Sequence, residues 1–290
     1  MLDRVLVPLD RSKVAEQVFP MVTELARAFG SEVVIVGVYE PEDREEEQAC
    51  QLYIDNKAEE LKVSLASSSA TFRTMILPGK AAEQILSLAE AERFDLIVMS
   101  SHGQSGITRW SLGSTVDKVL RKVGIPLIIV RTKEPPEESR IFSRIVVPLD
   151  GSQRSTAILP FIEKLAAMLP CEVFLVEVVE SGMHVRTIGG LDYVSFKQRD
   201  MDLTKAAAKN YLERVSTELI LTKAKVNCEV RAGDVAWEIL ELANEKGCTL
   251  IAMSSHGHSG IEAWSMGSVA SKIVEVSTQS VWLVPSSVRK

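Results

Sequence analysis

Met99-Ser-Ser-His-Gly-Gln-Ser-Gly-Ile-Thr-Arg-Trp-Ser-Leu-Gly-Ser114 occurs a second time, slightly altered, as Met253-Ser-Ser-His-Gly-His-Ser-Gly-Ile-Glu-Ala-Trp-Ser-Met-Gly-Ser268. About three quarters of the positions are identical, which makes the chain a tandem repeat. Each copy follows a short apolar run, Leu96–Met99 or Leu250–Met253, and leads into helix-spaced residues, Thr115–Leu120 or Val269–Val274. The order is buried strand, Gly/Ser-rich loop, helix start. A helix start leaves unpaired N–H groups at the positive end of the dipole, and glycines let an anion approach them closely. Ser114 and Ser268 suit the cap of that helix and also a hydrogen bond to a phosphate oxygen. The plainer alternative is that the glycines serve a turn and the serines only cap; two nearly identical copies favour the anion site.

Working outward, the 290 residues suit two domains of roughly 140 residues each. Domains at 1–133 and 143–290 are expected, joined by a charged, proline-bearing linker at 134–142. No apolar run reaches the roughly 20 residues of a membrane span, and Met1-Leu-Asp-Arg-Val-Leu-Val-Pro8 reads as a strand rather than a signal, so a cytoplasmic protein without a membrane partner is expected. A formal net charge of −6 without a basic cluster gives nucleic acid no electrostatic footprint. Cys50, Cys171, Cys228 and Cys248 show no Cys-x-x-Cys spacing and read as free, buried or half-buried thiols rather than a metal site.

Strands are expected at Arg4–Leu9, Glu32–Val38, Thr71–Leu77, Leu96–Met99 and Pro126–Val130, alternating with helices at Val14–Phe29, about Glu46–Leu65, Ala81–Glu92 and after the repeated loop. The second half repeats the strands at Arg144–Asp150, Glu172–Val179, Val226–Arg231, Leu250–Ser254 and Val281–Val284. The offset between copies grows from 140 residues at the first strand (150 − 10) to 154 at the loop (257 − 103), and the extra residues fall in the glycine-bearing segment Ser181–Leu191, read as a mobile loop. This alternation predicts an α/β fold of two tandem, doubly wound, five-stranded parallel sheets, with ligands at the carboxyl ends of the strands. Asp10, Asp150 and both loops lie at those ends.

These residues resemble the universal stress protein family in its tandem-domain form, over essentially the whole chain. Its nucleotide-binding members carry Gly-x-x-Gly, nine residues, then Gly-Ser or Gly-Thr. Here Gly103 and Gly113-Ser114 enclose nine residues, as do Gly257 and Gly267-Ser268, while the opening glycine is replaced by Ser100 and Ser254. The resemblance implies a Rossmann-like fold and ATP, with or without Mg, as ligand. It implies that an Asp and a Val hold the adenine, which places Asp10 and Val38 in one site and Asp150 and Val178 in the other. Capping of the following loop is an equal alternative for the two aspartates. The expected sites are completed by Ser100, Gly103, Arg109, Gly113, Ser114 and Thr115 in the first half and Ser254, Gly257, Gly267, Ser268 and Val269 in the second.

His102 and His256 read as loop braces rather than catalysts, and Trp110 and Trp264 as cover for a core or an interface. The loop lacks the Gly-x-x-x-x-Gly-Lys-Ser/Thr pattern and so has no lysine for the β/γ phosphates. The chain is therefore expected not to be an enzyme but a nucleotide-dependent regulatory protein. A nucleotide-free interaction module and a slow ATP-hydrolysing enzyme are the alternatives. The resemblance also implies that the two halves pack as an intramolecular pseudo-dimer through their fifth strands, with a homodimer allowed.

Overall fold

Four strands in each half are largely apolar runs, as parallel strands covered on both faces require, while the third is a half-buried edge strand that carries Arg73 and Thr74 in one half and Asn227, Glu229 and Arg231 in the other. In the first half the strands are β1 (Arg4–Leu9), β2 (Glu32–Tyr39), β3 (Thr71–Pro78), β4 (Leu96–Ser100) and β5 (Leu127–Val130). In the second they are β6 (Arg144–Pro148), β7 (Glu172–Glu180), β8 (Lys225–Gly233), β9 (Leu250–Ser254) and β10 (Ser280–Val284). The computed structural model describes residues 2–102, 112–131, 141–180, 198–219, 224–257 and 266–286. Most of the expected linker and the segment Ser181–Leu191 lie outside the described residues.

The strands form one sheet in the order β3-β2-β1-β4-β5-β10-β9-β6-β7-β8. Within each half every pairing is parallel; Val5, for example, lies beside Val33 on one side and Leu96 on the other. The halves meet through an antiparallel pairing of β5 with β10, with Ile129 opposite Val281 and Leu127 opposite Leu283. Pairing removes the exposed edge that each fifth strand would otherwise present. Arg131, just past β5, reaches into the other half and donates to the backbone carbonyls of Glu275 (3.1 Å) and Ser277 (2.8 Å).

Helices α1 (Phe19–Phe29), α2 (Arg44–Ser64), α5 (Leu159–Met168) and α6 (Gln198–Leu219) cover one face of the sheet. Helices α3 (Ala81–Ala91), α4 (Ser114–Lys122), α7 (Val235–Glu245) and α8 (Ser268–Val276) cover the other. Alternate side chains of each strand feed the two cores: Val33 and Ile35 enter the first, Val34 and Val36 the second. Trp282 of β10 is fully buried near the junction, edge-on to Phe161 with ring centroids 5.8 Å apart.

The expected helix from Val14 is divided. A 3₁₀ turn at Ala15–Val18 precedes α1, because Pro20 in its first turn has no N–H to continue an α-helical ladder from upstream. Gly30 closes α1 in the left-handed conformation (φ 65°). The start of α2 is fixed by Asp43, whose side chain accepts the Glu46 N–H at 2.9 Å.

Candidate functional site

The carboxyl end of β1 turns at Asp10. Its Oδ1 accepts the Ser12 N–H (3.0 Å) and the Ser12 hydroxyl (2.6 Å), and Ser12 Oγ accepts the Ala15 N–H (3.1 Å). The second half repeats this turn: Asp150 Oδ1 accepts Ser152 N–H (3.0 Å) and hydroxyl (2.6 Å), and Ser152 Oγ accepts Ser155 N–H (3.1 Å). One oxygen of each aspartate therefore braces the loop, as the capping alternative requires. The other oxygen of Asp150 faces the repeated loop so closely that a Cβ on Gly257 would lie 2.2 Å from Oδ2. Glycine is needed there for room.

The residue after each aspartate is left-handed, Arg11 at φ 66° and Gly151 at φ 76°. Glycine adopts this conformation freely, whereas a side-chain-bearing residue forgoes about 1–2 kcal/mol. Arg11 Nη2 lies 2.6 Å from Glu46 Oε1, on the first turn of α2.

At the end of β4, Ser100 Oγ donates to the His102 carbonyl (2.6 Å), and Ser101 Oγ lies 3.0 Å from His102 Nδ1. In the second half Ser255 Oγ lies 3.0 Å from His256 Nδ1, and His256 N–H donates to Ser254 Oγ (3.4 Å). Both histidines thus brace the loop. Burial, then the nearby Arg154 charge, holds the His256 imidazole below its ordinary pKa. The serines that replace the opening glycine are buried and engage the loop backbone itself.

The returning end of each loop is tied to its start by one backbone bond, Gly113 N–H to Ser101 O and Gly267 N–H to Ser255 O, both 2.9 Å. Ser101 and Ser255 in turn donate their N–H groups to Val130 (3.0 Å) and Val284 (2.8 Å), at the ends of β5 and β10. Gly113 and Gly267 occupy the cap positions of α4 and α8, with φ/ψ of −61°/147° and −59°/150° and no side-chain cap. Ser114 and Ser268 are therefore not caps, as the sequence suggests, but the first helical residues. At Gly267 a Cβ would stand 3.3 Å from Ser255 O, a tight approach that glycine avoids. The cap residue itself is a glycine and supplies no side-chain acceptor to either first turn, and a helix start of this kind favours an anion. Asp117 in the first turn of α4 is paired with Arg121 at 2.9 Å.

In the first half these features enclose a cleft of about 330 Å³, within the roughly 300–1,000 Å³ usual for small-ligand sites. Asp10, Val38, Ser100, Gly113, Ser114 and Thr115 all line it. Val36, Ala81, Ile85 and Met99 supply apolar wall, Arg11 also lines the cleft, and Glu46, Cys50 and His102 are members that sequence reasoning did not assign to the site. The Cys50 thiol is pushed up from its ordinary pKa by burial. In the second half, Val178 and Val269 pack against the core at the positions matching Val38 and Thr115. Gly103, Arg109, Trp110, Glu262 and Trp264 lie outside the described residues. Among the described residues no group of three or more His, Cys, Asp or Glu could hold a metal ion, and no helix is long and apolar enough to cross a membrane.

A doubly wound parallel sheet in each half, with a cleft where the β1 and β4 loops meet a helix start, defines a Rossmann-like α/β protein. The universal stress protein family pattern matches residues 1–131 and again 142–285, and the chain belongs to that family. It is 33% identical over 78 residues to universal stress protein MJ0577 of Methanocaldococcus jannaschii, a match spanning 27% of this chain and 48% of that relative. It is 29% identical over 147 residues to universal stress protein YxiE of Bacillus subtilis, spanning 50% of this chain and 99% of that one. A universal stress protein structure from Archaeoglobus fulgidus shares the fold with a TM-score of 0.68 at 18% identity, covering 99% of this chain and 100% of that one.

Proposed function

We propose that the chain is an adenine-nucleotide-binding regulatory protein of the stress-response type, with ATP as its ligand, whose occupancy alters the shape or association of a two-domain body. The observation that carries this reading is the first cleft, which gathers Asp10, Val38, Ser100, Gly113, Ser114 and Thr115 from four separate segments. The residues fit the ligand's parts. Apolar Val36, Val38 and Ile85 suit the faces of a base, Asp10 suits an exocyclic amine, and the glycine-capped start of α4 suits phosphates, with Mg accompanying them if present. Gly103 and Arg109 belong to the same proposed site. Asp150, Val178, Ser254, Gly257, Gly267, Ser268 and Val269 form its counterpart.

Binding rather than turnover is favoured because both loop histidines are engaged with neighbouring serines and the described cleft wall contains no lysine. The domains of this reading are 1–133 and 143–290, held as an intramolecular pair along β5 and β10. Free rather than paired thiols suit a reducing compartment such as the cytoplasm. The test combines mass analysis of small molecules released by heat from purified protein with calorimetric titration of Gly113→Val. Co-purified or titratable ATP is expected, with affinity at the first site reduced more than about tenfold in the variant, because a branched Cβ holds the anion off the helix start. Equal affinity of variant and parent would remove the phosphate role of that start.

A further inference from the structure

We propose that Arg11 reads the charge of the ligand in the first cleft: phosphates draw its guanidinium away from Glu46, whereas an uncharged nucleoside leaves the pair closed. The inference rests on the nucleotide reading above and assigns its charge selectivity to one residue.

Arg11 is the only Lys or Arg among the described residues lining the cleft, where it stands against the carboxylates of Asp10 and Glu46. The fold does not call for arginine at this place. The second half makes the same left-handed turn with Gly151 (φ 76° against 66°) and the same Asp–Ser hydrogen bonds on either side of it. What arginine adds is therefore its side chain, retained in spite of an unfavourable backbone conformation, and strain kept at a cleft is a pointer to function.

That side chain spans the cleft from the end of β1 to the start of α2. Its partner Glu46 also accepts the Glu40 N–H (3.3 Å), so one carboxylate ties together three segments: the β1 turn, the link after β2 and the first turn of α2. A ligand carrying several negative charges competes with a single carboxylate for the guanidinium, and planar guanidinium–phosphate pairing is strong and often bidentate. A nucleoside offers no such competitor. Release of Glu46 from Arg11 would then loosen the start of α2, giving ligand charge a conformational output.

The experiment titrates the full chain with ATP and with adenosine by calorimetry, comparing parent, Arg11→Gly, Arg11→Lys and Glu46→Gln. Every variant leaves the second half unchanged, so differences belong to the first cleft. Arg11→Gly is expected to weaken ATP by about tenfold or more while changing adenosine by less than about twofold, Arg11→Lys to retain most of the ATP preference, and Glu46→Gln to tighten ATP. Glycine accepts the φ of this position, so Arg11→Gly should melt no lower than the parent by more than the loss of one partly exposed ion pair. Equal loss of both ligands would show that Arg11 shapes the cleft rather than reads charge, and loss of neither would show that it does not meet the ligand; either outcome overturns the inference while leaving the nucleotide reading in place. A parent chain that binds neither ATP nor adenosine overturns both.

Discussion

Replacing Gly37 by alanine tests how the wall of the first cleft is built. Gly37 lies on β2 between Val36 and Val38, and the space its side chain would fill is taken from α2. A Cβ there would stand 2.4 Å from Cys50 Sγ and 3.0 and 3.3 Å from Ile54 Cγ1 and Cδ1. Cys50 and Ile54 are 2% and 0% exposed, so neither can yield by turning into solvent. Overpacking of this kind costs about 1–3 kcal/mol. At about 2–4 °C per kcal/mol for a unit of this size, the melting midpoint should fall by about 2–12 °C. The second half supports the geometry by using a different combination. Glu177 precedes Val178 as Gly37 precedes Val38, and the facing helix, aligned on the 154-residue offset of the strand that follows it (225 − 71), carries Thr204 and Ala208 where α2 has Cys50 and Ile54. Opposite the larger strand residue the helix thus carries the smaller Ala208 in place of Ile54, while Thr204 is no smaller than Cys50. Cys50→Ala, which removes the nearest atom, should therefore offset part of the cost, and the double variant should be less destabilised than the sum of the singles by about 1 kcal/mol or more. Thermal and urea unfolding followed by circular dichroism give the cycle. A Gly37→Ala protein that melts with the parent, or a strictly additive cycle, would refute this account of the packing.

Two further outcomes are expected. Burial pushes the thiols of Cys171 and Cys248 up to about 11 and about 12 from an ordinary 9.0. Raised folded-state values mean that the native chain holds these protons more tightly; the resulting stability is complete below pH 9 and is lost as pH rises towards 11–12, so the melting midpoint should fall across that window and fall less in a Cys171→Ala, Cys248→Ala protein. The first copy carries Thr108-Arg109 where the second carries Glu262-Ala263, so the first site is expected to bind ATP more tightly; exchanging the pairs should reverse that order, each charge contributing about 1 kcal/mol or less, with the difference shrinking at high salt, and an order of affinities that survives the exchange would show that these charges do not select the site.

The element order was legible because it rests on periodicity. Continuous apolar runs mark doubly covered parallel strands, and the repeat reports each of them twice. That Asp10, Ser100, Gly113, Ser114 and Thr115 line one cleft was legible for a related reason: they sit at strand ends and a helix start on the same side of the sheet, whereas Val38 came only from the family resemblance. Local backbone detail was not. The 3₁₀ turn before α1 depends on Pro20, and the cap of α4 falls on Gly113 rather than Ser114 because the Ser101 carbonyl already ties the loop at that glycine. The contribution of α2 to the cleft was hidden for a different reason. Glu46 and Cys50 lie in a segment that reads as a solvated acidic helix, and only the room left at Gly37 brings that helix against β2.

Comparison of the two copies carries more than either copy alone. Where they agree in residue and in geometry, as in the Asp10–Ser12 and Asp150–Ser152 turns or the Gly113 and Gly267 clamps, the shared chemistry builds the loop, and a ligand role must come from atoms that the loop leaves over. Where they share a backbone conformation but differ in residue, the fold has been satisfied by the cheaper residue in one copy, and the other side chain must be explained by what it reaches. Arg11 against Gly151 is such a place, and Arg11 reaches Glu46 in a cleft that the glycine-capped start of α4 also lines. Two halves that share one topology need not bind the same molecule, because the backbone of the site is duplicated but its charge is not.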